Sequence, residues 1–584
     1  MCGIFGYIGE RKNASQIVFE GLKSLEYRGY DSWGVAVVTK LKNNKEEIRI
    51  KKKAGKIGKN NVNDLPGGAI AIGHTRWATH GGLTDLNSHP HLDCKKEIAV
   101  IHNGIFENYE EFKNKLIKKG HKFISQTDTE VISHLLESED FRTVFNKMEG
   151  LNAVIVINSK KREIIAARNG SPLVIGFGMN ENFLASDASA LLPYTKKVYF
   201  LEDNEMAILT EKSVVIKDVK SGKTKKIKPQ ILNWKLAEGE KGKYPNFMLK
   251  EIYEQPKILS GIASNASESV KIAKEIRKSR GAYFVGCGSA SYAAIAGTYL
   301  FSKVANRHIN FAIGSEFGYH LDFLNKDSLI IPISQSGETM DILESIKKAK
   351  EKGAKIACLT NVLGSSLYRM SDYKMLIGAG PEKSVASTKA LTGMIAHLIL
   401  LAYALDGGIK DGQKVLAASA DSTKKILSSK SIKSIKLLAG RISESKNTYI
   451  IGRGLSYPAS LETAMKIKEI SYIHAEGLAA GELKHGPLAL VEKGTPCIAF
   501  LPNDETYGSN LAGAMEMKAR GGFVIGISFK PHEVFDYYIP VTDAGVGTII
   551  PNIVVAQLLA YFLTIKKGLD PDKPRNLAKS VTVK

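Results

Sequence analysis

Between Cys2 and about residue 215 the apolar positions come in short runs broken by polar or glycine-bearing turns. The runs are CGIFGYIG, WGVAVVT, AIAIGHTR, EIAVIHNG, NAVIVINS, EIIAARNG and MAILTE. Runs of this length, rich in Val and Ile and bounded by Gly, Asn or Thr, predict strands. Few helical periods interrupt them, so this part of the chain predicts stacked antiparallel sheets. From about residue 260 the pattern changes to strand, glycine turn, helix. AYFVGCGSASYAAIAGTYLF leads into SLIIPISQSGETMDILESIKKAKEKGAKIACLTN. A weaker copy follows as NTYIIGRGLSYPASLETAMKIKEIS and TPCIAFLPNDETYGSNLAGAMEMKARGGFVIGIS. The correspondence predicts two doubly wound α/β domains related by an internal repeat.

The polar stretch KDVKSGKTKKIKPQ marks a boundary, and KGKYPNFMLKEIYEQPKIL reads as a helix leading into a new domain. The expected division is 2–217, a linker at 218–246, 247–408, 409–567 and a polar tail at 568–584. GMIAHLILLAYAL and IIPNIVVAQLLAYFLTI are short or interrupted by Pro, Asn and Gln, so they predict core helices rather than membrane spans. Glu10, Arg11 and Lys12 cut short the first apolar run, which disfavours a signal peptide. Five cysteines, odd in number and without a C-x-x-C pair, argue against a disulfide framework and for a reducing cytoplasm. The net charge of +22 is spread through helices such as KNKLIKKGHK and SIKKAKEKGAK. No basic run interleaves with aromatics, so nucleic acid is not an expected partner, although anionic substrates would feel the field.

Position 2 carries the first candidate chemistry. Removal of Met1 would leave Cys2 with a free α-amine, pairing a thiol with a base in one residue. A small buried hydrophobe is the other reading of the same cysteine. Downstream lie LEYRGYDSWG, HTRWATHGG, IHNGIFENYEEF and SQTDTEVI. In them Arg76 suits a two-pronged bond to an α-carboxylate, and Asp128 suits an α-ammonium. Thr79 and His80 supply hydrogen bonds, and Asn103 with the Gly104 amide suits an oxyanion. Each alone fits a turn or cap. The histidines at 74, 80, 89, 91 and 102 lack a carboxylate-supported ligand pattern, so no metal is expected.

In ISQSGETMD a strand runs into a turn that opens a helix, and Ser334, Gln335, Ser336 and Thr339 with exposed amides suit a phosphate. One helix cap needs one hydroxyl, and this turn has three. GCGSAS is not a full G-x-G-x-x-G, so no nicotinamide cofactor is expected. The second repeat has PNDET at the matching place, and its acidic groups disfavour a phosphate there.

Taken together, the first set of residues resembles the glutaminase domain of the N-terminal-nucleophile amidotransferases, an αββα fold. The resemblance implies Cys2 as the nucleophile on the glutamine amide, Arg28 as an organising residue and Trp77 as a gate for ammonia. SQSGET, GELKHGPLAL and PRNLAKSVTVK resemble sugar isomerase domain proteins, so the expected fold is an αββα glutaminase followed by two doubly wound sugar isomerase domains. The joint resemblance implies transfer of nitrogen from L-glutamine to D-fructose 6-phosphate, giving D-glucosamine 6-phosphate and L-glutamate, by a homodimer without a cofactor. It further implies Glu469 as the base moving a proton between C1 and C2, with Lys466 beside it. His485 opens the ring from the neighbouring subunit, and Lys579 forms an imine with the ketose. SVASTK matches a loop near the sugar, with Val385 and Ser387 as contacts. The family often has CGTS where this chain has CGSA; Ser289 keeps a hydroxyl and Ala290 lacks one. Two other readings are an amidotransferase acting on phosphoribosyl pyrophosphate, for which no paired-acid loop is found, and a non-enzymatic sugar-phosphate sensor.

Overall fold

The structure is a computed structural model describing residues 2–41, 45–232 and 240–581. The chain divides into two compact units, Met1–Glu240 with Ala578–Lys584, and Lys241–Leu577.

The first unit is built on an eight-stranded and a seven-stranded sheet. All their pairings are antiparallel. Ile4, Ala36 and Ile72 of the larger sheet share one core with Ala99, Ile101 and Ile155 of the smaller. On the far face of the smaller sheet, Val100, Val154 and Val156 pack against Val131, Ile132 and Leu135 of the helix Thr129–Leu135. Neighbours along one strand thus serve different cores, as the two-residue strand period requires. This explains the unbroken apolar runs in the sequence: both faces of these sheets are covered. The helix Ala14–Leu25 covers the larger sheet. The layers are helix, sheet, sheet, helix, as expected.

The polar stretch read as a linker carries two short strands. Thr224–Lys225 extends the smaller sheet and Gln230–Ile231 the larger. Two-residue strands fall below what an apolar pattern can reveal, so composition hid them. Part of the expected linker, 233–239, and the last three residues of the tail lie outside the described residues.

The second unit holds two five-stranded parallel sheets. In chain order the first has Gly281–Gly286, Asn310–Ile313, Ser328–Ser334, Lys355–Thr360 and Tyr373–Leu376. The second has Asn447–Gly452, His474–Ala479, Pro496–Leu501, Phe523–Ser528 and Tyr537–Pro540. Both sheets lie in the order two-one-three-four-five. Identical order is the structural form of the sequence repeat, and it places ligand loops at the carboxyl ends of the strands. Lys389–Asp406 and Gly545–Lys566 are long and apolar enough to cross a membrane, but 83% and 89% of their apolar windows are buried inside the protein. Their leucines and isoleucines join the shared core of the two sheets, which is why they show no polar face.

Candidate active site

Cys2 precedes the strand Gly3–Gly9, the central position of which fixes where the thiol points. The Trp77 N–H donates to Cys2 Sγ at 3.2 Å. Asn103 Nδ2 donates to the Cys2 carbonyl at 2.9 Å, and Arg28 Nε reaches the same oxygen at 3.4 Å. Burial pushes the thiol pKa up, with the Trp77 amide and the Arg76 charge pulling it partway back. A thiol held protonated would act as a nucleophile only beside a base, and the α-amine that processing of Met1 would expose is such a group.

Asp31, Gly29 and Tyr30 pack against the turn that carries Trp77. Asp31 N donates to Arg76 O at 2.9 Å, and Asp31 Oδ2 accepts from Ala78 N at 2.9 Å. Gly29 lies so close that a Cβ there would stand 2.7 Å from the Arg76 carbonyl carbon and 2.8 Å from Trp77 N. Arg28 pairs with Asp187 at 3.4 Å, and Tyr27 donates to the same carboxylate at 2.6 Å. Trp77 meets Tyr30 edge to face at 5.8 Å.

Of the expected glutamine-binding residues, Arg76 ends the strand Ile70–Arg76, and Asn103 and Gly104 end the strand Ile98–Gly104. Thr79 and His80 lie on the loop after Arg76, and Asp128 stands at the N-cap of the helix Thr129–Leu135. The buried Arg76 guanidinium donates to the carbonyls of His80, Gly81 and Gly82, which folds the loop back over it. Thr79 is exposed, with His80 Nδ1 3.3 Å from its hydroxyl. Asp128 is 4% exposed; one oxygen accepts from Phe106 N at 2.8 Å. Gly104 has φ of +127°, and a Cβ there would lie 1.9 Å from Leu151 O, so only glycine fits after Asn103. The histidines form a supporting network. His74 Nε2 lies 3.0 Å from both His102 O and Asn103 Oδ1, and it stacks on His89 at 4.2 Å. His91 Nε2 meets Thr127 Oγ1 at 3.0 Å, and His102 meets Thr129 Oγ1 at 3.0 Å and Asn152 Oδ1 at 2.8 Å. Burial lowers the pKa of His74 to about 3 and those of His89, His91 and His102 as well, so all four are neutral props near pH 7.

In the second unit the SQSGET turn ends the strand Ser328–Ser334 and opens the helix Met340–Glu351. Ser334 Oγ accepts from Gly337 N at 3.0 Å and lies 3.2 Å from Thr339 Oγ1. Ser336 Oγ accepts from Glu338 N at 3.1 Å. Thr339 occupies the cap position without a side-chain cap bond, so its hydroxyl is not used in closing the helix. Gln335 holds the turn by its carbonyl, which accepts from Asn361 N at 3.1 Å. In the second repeat Asp504 accepts from Thr506 N at 2.8 Å and from its hydroxyl at 2.6 Å. A carboxylate therefore stands where the first repeat offers hydroxyls.

The helix Ser456–Ser471 carries Glu462, Lys466 and Glu469 on one face. Lys466 Nζ is fully buried, 2.9 Å from Glu469 Oε2 and 3.3 Å from Glu462 Oε1. Ser289, from the first repeat, donates to Glu462 Oε1 at 3.2 Å. Burial pushes the Glu462 carboxyl up to about 7, against the pull of Lys466 and with the Glu469 charge adding to the rise. Burial opposes the Lys466 charge, yet the two carboxylates hold its ammonium above the ordinary lysine value. Ala290 is 8% exposed and packs in the core, so no hydroxyl stands at that position.

SVASTK forms a loop ordered by Glu382, which accepts from Thr388 N at 2.9 Å and Ala390 N at 3.0 Å. Ser387 Oγ reaches Glu382 at 3.5 Å, and Val385 N donates to Asp572 O at 3.1 Å. Asp572 in turn accepts from Phe247 N and Met248 N, both at 2.8 Å. His485 is exposed in the short turn Glu482–His485. Lys579 is half-buried and falls in the stretch grouped with the first unit, whereas Glu469 belongs to the second.

Residues 74–193 match the glutamine amidotransferase domain, and residues 275–404 and 441–536 match the SIS domain. The chain is 44% identical to the glutamine–fructose-6-phosphate aminotransferase (isomerizing) of Pyrococcus horikoshii, covering 100% of both chains. It belongs to that aminotransferase family. The enzyme of the same name from Clostridium tetani is 41% identical, again over 100% of both chains. The solved C-terminal domain of glucosamine-fructose-6-phosphate aminotransferase from Francisella tularensis is 35% identical with a TM-score of 0.53. It covers 57% of this chain and 100% of that one. The expectation of a glutaminase followed by sugar isomerase domains is borne out.

Several residues of this aminotransferase chain escaped the sequence reading. Gly29 and Asp31 lie inside the quoted EYRGYDS, but only the fold shows that they brace the Trp77 turn. Glu462 sits four residues before Lys466, a helical spacing that could have joined it to the pair. Asn87 and Gln126 lack any such signal; they latch the loop after Arg76, Asn87 Nδ2 donating to Gln126 Oε1 at 3.0 Å.

Proposed function

We propose that this chain transfers the amide nitrogen of L-glutamine to D-fructose 6-phosphate and isomerises the product to D-glucosamine 6-phosphate, releasing L-glutamate. This would be the first step of amino-sugar synthesis. The observation that carries the reading is one chain with a braced thiol at residue 2 and a Glu462–Lys466–Glu469 cluster, built on a fully buried lysine and touching Ser289.

In the glutaminase step the Cys2 thiolate attacks the side-chain amide carbon, the α-amine having taken the thiol proton. Ammonia leaves with that proton, and water then releases glutamate from the thioester. Asn103 and Gly104 stabilise the oxyanion. Arg28 organises the site, while Arg76, Thr79, His80 and Asp128 hold the amino-acid end of glutamine, and Trp77 gates the ammonia.

In the sugar step Ser334, Gln335, Ser336 and Thr339 hold the phosphate, and Ser289, Val385 and Ser387 contact the sugar. Lys579 forms an imine at C2, which ammonia displaces. Glu469 then takes a proton from C1 and returns one to C2, converting the ketimine to the amino aldose. Lys466, fixed between two carboxylates, keeps Glu469 oriented and offsets its charge. His485, exposed in this chain, assists ring opening across a homodimer interface. No cofactor enters this scheme, and a cytoplasmic setting suits both substrates.

The test is product identification. Incubation with glutamine and either fructose 6-phosphate or phosphoribosyl pyrophosphate should give an aminated hexose phosphate from the first alone. Amination of the second would replace this reading by that of a different amidotransferase, and no glutamate release with either would favour a sensor.

A further inference from the structure

The turn joining His91–Leu92 to Ile98–Gly104 is tightly drawn. Asp93 Oδ1 accepts from Glu97 N at 2.7 Å and Ile98 N at 2.8 Å. That turn presents the Cys94 thiol at the surface. Two other segments meet it: His121, just after the helix Tyr109–Lys118, and His134 with Glu137 at the end of the helix Thr129–Leu135. Cys94 Sγ lies 3.5 Å from His134 Nδ1 and 3.7 Å from His121 Nδ1. Glu137 Oε1 lies 2.9 Å from His134 Nδ1 and 3.2 Å from His121 Nδ1. All four ligand atoms fall within 4.8 Å of one another.

We propose that Cys94, His121, His134 and Glu137 form a structural zinc site in the first unit. A tetrahedron with Zn–S of about 2.3 Å and Zn–N or Zn–O of about 2.0 Å has edges of roughly 3.3 to 3.6 Å. The four separations bracket that range. One thiolate, two imidazoles and one carboxylate are a donor set for Zn²⁺, not for the oxygen-seeking Mg²⁺ or Ca²⁺. The site is also built from behind. The His134 side chain is 1% exposed, with Nδ1 aimed into the cluster and Nε2 3.6 Å from Glu130 Oε1. A carboxylate facing the outer nitrogen of a ligating imidazole is the kind of support such ligands use, here as an ion-pair contact across 3.6 Å. Glu130 is itself pinned by Ile124 N at 2.8 Å and Ser125 N at 2.6 Å.

None of the four residues is used in the proposed chemistry. The ion would tie the hairpin turn and the segment after Gly120 to the helix that begins directly after Asp128. Its role is to clamp that helix, and with it the loop facing the amino-acid end of glutamine.

The test is a cobalt titration of the full-length chain, stripped of metal with a chelator under reducing conditions. The Cys2→Ala background removes the reactive thiol as a competing ligand. The site predicts a thiolate-to-cobalt band in the near ultraviolet and intense visible bands of tetrahedral cobalt, saturating at one ion per chain and displaced by Zn²⁺. Cys94→Ser should abolish the near-ultraviolet band. His121→Ala should weaken binding by at least the upper end of the about 10–100-fold that outer partners alone cost. Both substitutions are at partly or fully exposed positions, and circular dichroism checks that the variants fold. A second readout is thermal: zinc should raise the melting temperature of the Cys2→Ala chain and not of its Cys94→Ser derivative. Absence of the thiolate band, or a band that survives Cys94→Ser in folded protein, would overturn the site and leave the four groups a hydrogen-bonded cluster.

Discussion

Adding one methyl group at Gly29 tests whether the Trp77 turn positions the nucleophile. Gly29 has φ of −173°, an extended conformation that alanine adopts without strain, so the perturbation is one of space. Its Cβ would stand 2.7 Å from Arg76 C, 2.8 Å from Trp77 N and 3.0 Å from Arg76 O, all backbone atoms that no rotamer change can move aside. Restoring ordinary contact needs a shift of about 0.7 Å, and overpacking of this kind typically costs about 1–3 kcal/mol. The displaced peptide carries the N–H that donates to Cys2 Sγ at 3.2 Å and the carbonyl that accepts from Asp31 at 2.9 Å. A misplacement near 1 Å costs about 100-fold in rate. Gly29→Ala should therefore lower kcat/KM for glutamine hydrolysis by about 10–100-fold. Fructose 6-phosphate isomerisation, measured on the same preparation, should stay unchanged. Wild-type glutamate release from Gly29→Ala would show that the turn does not set the thiol.

Cys2→Ala should abolish glutamine hydrolysis while leaving fructose 6-phosphate binding intact, and iodoacetamide should label Cys2 ahead of the buried Cys358 and Cys497. Glu462 makes stability depend on pH. Its carboxyl rises from 4.5 to about 7 on folding, so the stability it adds is full below about pH 4.5 and is lost as the pH rises through about 7. Denaturant titrations should show wild type losing ground to Glu462→Gln between pH 5 and pH 8, and an unchanged gap would contradict the raised value. Borohydride with fructose 6-phosphate should trap an adduct on the Lys579 peptide, absent in Lys579→Arg, since arginine keeps the charge but forms no imine. An adduct on Lys466 or Lys484 would move the imine elsewhere.

The sheets were legible because runs such as AVIVI at Ala153–Ile157 are apolar at every position, and only a strand covered on both faces buries them all. The isomerase repeat was legible from strand, glycine turn and helix recurring in order, which the fold returns as two sheets of identical topology. The two-residue strands at Thr224–Lys225 and Gln230–Ile231 were not, being shorter than any periodic signal. At the site, SQSGET announced itself by spending three hydroxyls where a cap needs one. Glu462 gave only its i,i+4 spacing from Lys466, and its meaning depends on Ser289, 173 residues away, closing over it. The zinc-type donors are spread from Cys94 to Glu137, with a spacing no short motif encodes.

In the proposed reaction nitrogen passes from the glutamine side-chain amide to a sugar phosphate. Supplying glutamine labelled with ¹⁵N at the side-chain amide, together with fructose 6-phosphate and unlabelled ammonium in the buffer, tests it directly. Mass spectrometry of the sugar product should show glucosamine 6-phosphate carrying one ¹⁵N, with equimolar glutamate and no labelled product from Cys2→Ala. An unlabelled amino sugar, or glutamate released without any amino sugar, would contradict the account.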